Sequence, residues 1–188
     1  MSGHPRLPRR GVGTRICRTD LRCMRFGRNS ILALALAAAV VAMFAPGASA
    51  RHAGAYKASD EQRVAALINA IRRQHHLTPL VYSLALRNAA REHSTDMLAR
   101  QYFEHDAPDE TFDRRIRRFL AAPLVAEDIG WGSGEYGTPA GMVNLWMHSA
   151  SHRRIILLPD LRRFGLGVTQ GTFQGNDQAS LVTADFAS

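Results

Sequence analysis

The run Phe164–Phe186, FGLGVTQGTFQGNDQASLVTADF, decides the class of fold. Phe164, Leu166 and Val168 alternate with Gly165, Gly167 and Thr169. Leu181-Val182-Thr183-Ala184-Asp185-Phe186 is a second β-rich run. Gly175-Asn176-Asp177 between them is turn chemistry, so the segment predicts a β-hairpin. What precedes it has a different period. Val64, Leu67, Ile68 and Ile71 fall at i, i+3, i+4 and i+7, the stripe of an amphipathic helix. Helices followed by paired strands predict an α+β domain, with helices packed on a small antiparallel sheet.

The helical half divides at recognisable stops. Ser59 and Gln62 have capping-box spacing for the first helix, which ends near Arg72-Arg73-Gln74. His75 and His76 read as capping or solvated residues. Ser83 caps a second helix whose inner face is Leu86, Ala90, His93 and Met97. His93 on that stripe reads as a core histidine with one bonded nitrogen. Thr111 opens a third helix to about Leu120, with Phe112, Ile116 and Phe119 inside and the arginines outside. Leu124–Trp131 reads as a short extended segment entering a glycine-rich loop. Thr138-Pro139 starts a buried helix that ends near Ser149, and Ser151 caps a short turn carrying His152.

Three polar inserts interrupt this apolar scaffold: Tyr102–Asp106 (YFEHD), Ala126–Gly134 (AEDIGWGSG) and Trp146–Arg154 (WMHSASHRR). Polar groups between apolar flanks must be solvated, bonded or used. They supply the candidate site, His105, Glu127 and His152, with Ser149 as a possible nucleophile beside them. Glu127 or a histidine can act as general base on water, or a histidine can activate Ser149 or Ser151. No G-x-S-x-G elbow accompanies these serines. Two imidazoles and a carboxylate can also bind a divalent ion such as zinc. No cofactor is required by any motif, and the G-x-G of Gly130–Gly132 lacks a dinucleotide context. The third account is that these side chains only bond one another and hold helices to sheet.

The ends of the chain bound where it works. Residues 1–30 are arginine-rich, 31–44 read ILALALAAAVVAMF, and Ala48-Ser49-Ala50 is an A-x-A site. This predicts a signal peptide over 1–50, cut between Ala50 and Arg51, then a flexible lead-in at 51–58 and one domain over 59–188. Retention as an anchor and translation from Met24 are the alternatives. Export predicts a secreted or periplasmic protein that meets the membrane only through its leader. Of the 24 basic and 16 acidic residues, the leader holds eight Arg and Asp20. The remainder carries 16 against 15, so the basic pI gives no reason to expect nucleic acid. Both cysteines, Cys17 and Cys23, lie in the leader. The exported part therefore has no disulfide, no cysteine nucleophile and no thiolate metal ligand.

His93-Ser94-x-x-Met97, Tyr102-Phe103-x-His105, Glu127-Asp128-Ile129-Gly130-Trp131-Gly132, Val143-Asn144-Leu145-Trp146 and Ser149-x-x-His152-Arg153 occur in this order. Together they resemble the CAP superfamily, or SCP domain, of cysteine-rich secretory and pathogenesis-related proteins. The likeness is to its short, cysteine-free bacterial branch and covers about 59–186. It implies a three-layer α-β-α sandwich with a cleft holding two histidines and two acids. The histidines fall on His105 and His152 and the first acid on Glu127. The second acid falls on Ser149, a departure, and Asp128 stands where Asn is usual; Glu135 could replace the missing acid. The resemblance implies an extracellular ligand, whether lipid, glycan or protein, bound by a monomer, with Trp131 and Tyr136 available to stack on a glycan. A hydrolase of peptidase or esterase type is the alternative.

Overall fold

The computed structural model describes residues 11–18 and 55–188, with side chains from Lys57 onward. The apolar run 31–44 and the Ala50–Arg51 junction lie outside the described residues. In chain order the elements are β1 (Gly11–Arg18), β2 (Ala55–Tyr56), α1 (Ala58–Gln74), β3 (Val81–Tyr82) and α2 (Leu84–Arg100). Then come α3 (Phe112–Phe119), β4 (Leu124–Gly132), α4 (Pro139–His148), α5 (Ala150–Ile156), β5 (Arg163–Phe173) and β6 (Asn176–Ala187). The domain is an α+β sandwich. The sheet runs β1-β4-β6-β5-β2, and β3 also pairs with β5. The β3 pairing is parallel and all others are antiparallel, a departure from the purely antiparallel expectation.

Alternation along the strands sorts the core into two faces. Leu124, Ala126, Leu166, Val168, Val182, Ala184 and Phe186 meet Val64 and Ile68 of α1, Trp146 of α4 and Ile155 of α5. On the other face Val125 and Ala187 pack on Leu86 of α2 and on Phe112 and Ile116 of α3. Further along that face Ile129, Trp131 and Leu181 pack on Met97, Leu98 and Phe173. Trp146 is the largest fully buried side chain among the described residues, and its Nε1 donates to the Ile129 carbonyl at 3.3 Å.

Several local expectations are refined. The hairpin is longer than its sequence signature, and its turn lies one residue earlier. Gln174 and Gly175 both have positive φ, 47° and 77°, as a tight two-residue hairpin turn demands. Residues Ala55 and Tyr56 of the expected lead-in form a strand against Gln170 and Thr169. Helix α1 starts at Ala58 with Lys57 as N-cap and no side-chain cap, so the Ser59/Gln62 box does not form. The reason is tertiary: the Lys57 N–H donates to the Val168 carbonyl and fixes the helix start. Ser83 and Thr138 do cap, accepting from Leu86 N and Gly141 N. Thr111 is the N-cap of α3, but its hydroxyl bonds Asp113 instead of the main chain. Ser149, not Ser151, is the N-cap of α5.

Helix α2 lies directly on the β5 backbone. A Cβ on Gly165 would stand 2.0 Å from Arg87 N, and one on Gly167 would stand 2.4 Å from the Ala90 main chain. Glycine is required at both for this approach.

Candidate functional site

The site grows from one strand position. In β4 the residues Val125, Ile129 and Trp131 face α2 and α3, so Glu127 faces them too. Its partner across the antiparallel ladder is Asp185 of β6. Two carboxyls thus stand side by side with no exposed surface on either. Buried charges at such spacing need a cation.

That cation is Arg115 of α3, which is 2% exposed. Its Nη2 pairs with Glu127 Oε2 and lies 3.6 Å from Asp185 Oδ1. Its Nη1 donates to the main-chain carbonyl of His105 at 3.3 Å. The His105 ring closes the other side of the carboxylate, with Nδ1 donating to Glu127 Oε1 at 2.7 Å. Asp106, next in the loop, accepts from Phe112 N at 3.0 Å and so ties the His105 loop to the start of α3. His93 of α2 donates from Nε2 to the Glu104 carbonyl at 3.0 Å and stands 4.0 Å from Glu127 Oε2. The expected core histidine with one bonded nitrogen is therefore present, and it belongs to this cluster.

Burial sets the protonation of the cluster. It pushes Asp185 well above the ordinary carboxylate range; Arg115 opposes this and Glu127 adds to it. It drives His93 well below its ordinary value, helped by the charge of Arg115. Arg115 itself is pulled down by burial, but Glu127 and Asp185 outweigh that and hold it above its ordinary value. A polar cleft of about 390 Å³ between α2 and α3 reaches this group, with His93 and Arg115 at its buried end and Arg100, Arg114 and Arg118 among its lining.

The residues expected in the site are distributed as follows. His105 and Glu127 are in direct contact. His152 is buried on α5, in the layer on the opposite face of the sheet. Asp128 alternates with Glu127 and faces that same layer. Ser149 Oγ is 3.1 Å from Ser151 Oγ. Among the described residues no group of three or more His, Cys, Asp or Glu side chains is arranged to hold a metal ion. Both oxygens of Glu127 are already engaged, so the donors as placed do not form a metal centre. Trp131 is 3% exposed and packs edge-on against Phe173 at 5.2 Å, which removes it as a stacking platform for glycan. The arginines of α3 were expected on its outer face, and Arg115 is a correction. It sits at i+3 from Phe112, on the inner stripe, where the carboxyls of Glu127 and Asp185 compensate it.

An α+β sandwich with helices on both faces of one sheet defines the class of fold. Residues 65–186 match the cysteine-rich secretory protein family, and the chain belongs to this CAP family. It is similar to the uncharacterized protein YkwD of Bacillus subtilis (strain 168), 33% identical over 112 residues, which are 58% of this chain and 42% of that protein. The chain thus spans less than half the length of the curated relative it matches. An SCP-domain extracellular protein from Bacillus anthracis superposes with a TM-score of 0.57 at 27% identity, covering 69% of this chain and 40% of that one. An outer surface protein from Borrelia burgdorferi has the same fold, with a TM-score of 0.59 at 19% identity over 70% and 97% of the two chains.

Proposed function

We propose that this chain is an exported CAP domain that binds a polar extracellular ligand in the cleft above His93, His105, Glu127 and Arg115. The carrying observation is the state of Glu127. Its Oε1 accepts from His105 and its Oε2 is paired with Arg115. A carboxylate committed on both oxygens is a rigid support and a poor base. The cleft above it is lined by charged side chains of both signs, including Asp96, Glu110 and Arg118, which suits a glycan or a protein surface better than a lipid. Export is supported by the leader-like sequence and by similarity to proteins described as extracellular and outer-surface. The test is amide NMR of the purified chain against a panel of soluble glycans and charged peptides. Shifts centred on His93, His105 and Arg115 are expected. A panel whose binders shift only residues elsewhere overturns the reading.

Hydrolysis is the second reading, favoured by one feature: the Glu127 bond fixes the His105 ring, as an orienting carboxylate does for a catalytic base. Turnover of peptide, ester or glycan substrates that is lost in His105→Ala would support it. Equal rates in the parent, His105→Ala and His152→Ala would remove it. A divalent ion at His105, Glu127 and His152 requires Glu127 to release a present partner and His152 to reach it from the opposite face of the sheet. Zinc calorimetry decides this: equal weak binding by the parent and the double alanine variant of His105 and His152 excludes that site.

A further inference from the structure

Strand β4 has two edges with different partners. One edge is bonded to β6. The other is bonded to β1, Gly11–Arg18, which lies within the expected leader 1–50. The β1–β4 pairing is antiparallel and in continuous register, from Leu124 opposite Arg18 to Trp131 opposite Gly11. Cleavage between Ala50 and Arg51 takes this strand out of the sheet and leaves β4 at its margin. β4 is not built as a margin. Exposed edge strands are ordinarily blunted by shortness, by lysine, by proline or by a bulge. β4 is nine residues long, LVAEDIGWG, without lysine, arginine or proline, and all of it is buried with β1 in place. Such a backbone is a ready template for another extended chain. Helix α5 lies beside both β1 and β4, so a strand on this edge also has a helix next to it.

The register narrows the occupant. Glu127 and Asp128 stand at the middle of β4, between apolar residues. Arg15 holds the register position opposite Glu127, and Thr14 the position opposite Asp128. The β-branched residues Val12, Thr14 and Ile16 occupy alternate positions, opposite Gly130, Asp128 and Ala126. Opposite charges at facing positions favour pairing, and like charges there oppose it. A second copy of β4, paired over its whole length, would set Asp128 against Asp128. The acids at the centre of the strand therefore favour a foreign segment with a basic residue over a second copy of this chain.

We propose that the outer edge of β4 accepts an extended peptide with β-branched residues at alternate positions and a basic residue opposite Glu127. The strand Gly11–Arg18 fills this edge in the unprocessed chain, and its loss opens it. Opening rests on cleavage of the leader and is independent of any ligand in the cleft at His105.

The probe is a synthetic peptide of residues 11–18 carrying Cys17→Ser. It is titrated against the chain as its host exports it, with the N terminus read by mass spectrometry, and against the full chain. The exported form should bind about tenfold more tightly, because in the full chain a tethered strand competes for the edge. Amides of residues 124–132 should shift and gain protection from hydrogen exchange. Two methylated peptides separate a backbone ladder from side-chain binding, one blocked at the nitrogens of residues 12, 14 and 16 and the other at 13, 15 and 17. One should lose binding and the other keep it, since only alternate N–H groups of a strand face a given neighbour. Arg15→Glu in the peptide should weaken binding about fivefold. An exported chain that keeps residues 11–18 overturns the proposal. So do equal binding by the two forms, methylated peptides that behave alike, and shifts confined to other surfaces. Protection of 124–132 that rises with protein concentration and without peptide would make a second copy the occupant, and overturns it too.

Discussion

The two faces of the sheet are held by different physics. The face under α1, α4 and α5 is an apolar core around Trp146, Phe164 and Phe186. The face under α2 and α3 encloses Arg115, Glu127, Asp185, His93 and His105 between two small apolar clusters. The first face gains most of its stability from area removed from water, although Asp128 and His152 are also buried on it. The second gains little from its charges, because desolvating them offsets most of their attraction, and it is intolerant of losing any one partner. A face with that character is suited to holding side chains in fixed orientations.

The largest break in the comparison is Trp146→Ala on the apolar face, expected to cost about 3–5 kcal/mol by urea unfolding, with the same loss at pH 5 and pH 8. Next is Arg115→Met on the ionic face, expected to cost about 3 kcal/mol at pH 7 because the buried Glu127 carboxylate loses its cation. Its penalty should shrink as pH falls, because a carboxyl that takes up a proton no longer needs a cation. A pH-independent Arg115→Met penalty would erase the distinction between the faces.

Smaller changes sharpen it by sign. The folded chain holds a proton on Asp185 that the unfolded chain releases above about pH 3.9. Stability from this group is complete below that value and is lost as pH rises through the folded pKa. Asp185→Asn should therefore gain on the parent, in melting temperature, as pH rises from 4 to 8; a steady fall would mean the carboxyl is ionised when folded. His93 runs the opposite way. Its folded pKa is depressed, so its contribution is present above about pH 6.5 and is lost as pH falls toward the folded value. His93→Gln should flatten that acid limb. Smallest of all is Arg118→Ala. Arg118 contacts both Glu92 and Glu110, yet it is 45% exposed, so a loss of about 0.5 kcal/mol or less is expected, shrinking with added salt.

The fold was legible because its signals are local. Period 3.6 in Val64–Ile71, period 2 after Phe164 and the caps at Ser83 and Thr138 each needed only a few neighbours. His105 and Glu127 were legible as polar residues in apolar surroundings, and they do meet. Arg115 and Asp185 were missed for a common reason: each looks ordinary until register is known. Arg115 hides among Arg114, Arg117 and Arg118, although its i+3 spacing from Phe112 puts it on the buried stripe. Asp185 sits on the alternation of Leu181 and Thr183, and only the β4–β6 ladder sets it against Glu127. The failed Ser59 cap has the same origin, since a main-chain bond from Lys57 to β5 outranks a local preference.

The two glycines of β5 have one more consequence. Gly165 and Gly167 let the α2 backbone rest against the strand, and the short Ser94 side chain, its Oγ donating to the Gly167 carbonyl at 2.9 Å, locks the joint. The floor beneath His93 therefore has no slack, and a substitution at either glycine would push the second helix, and the histidine it carries, off the sheet.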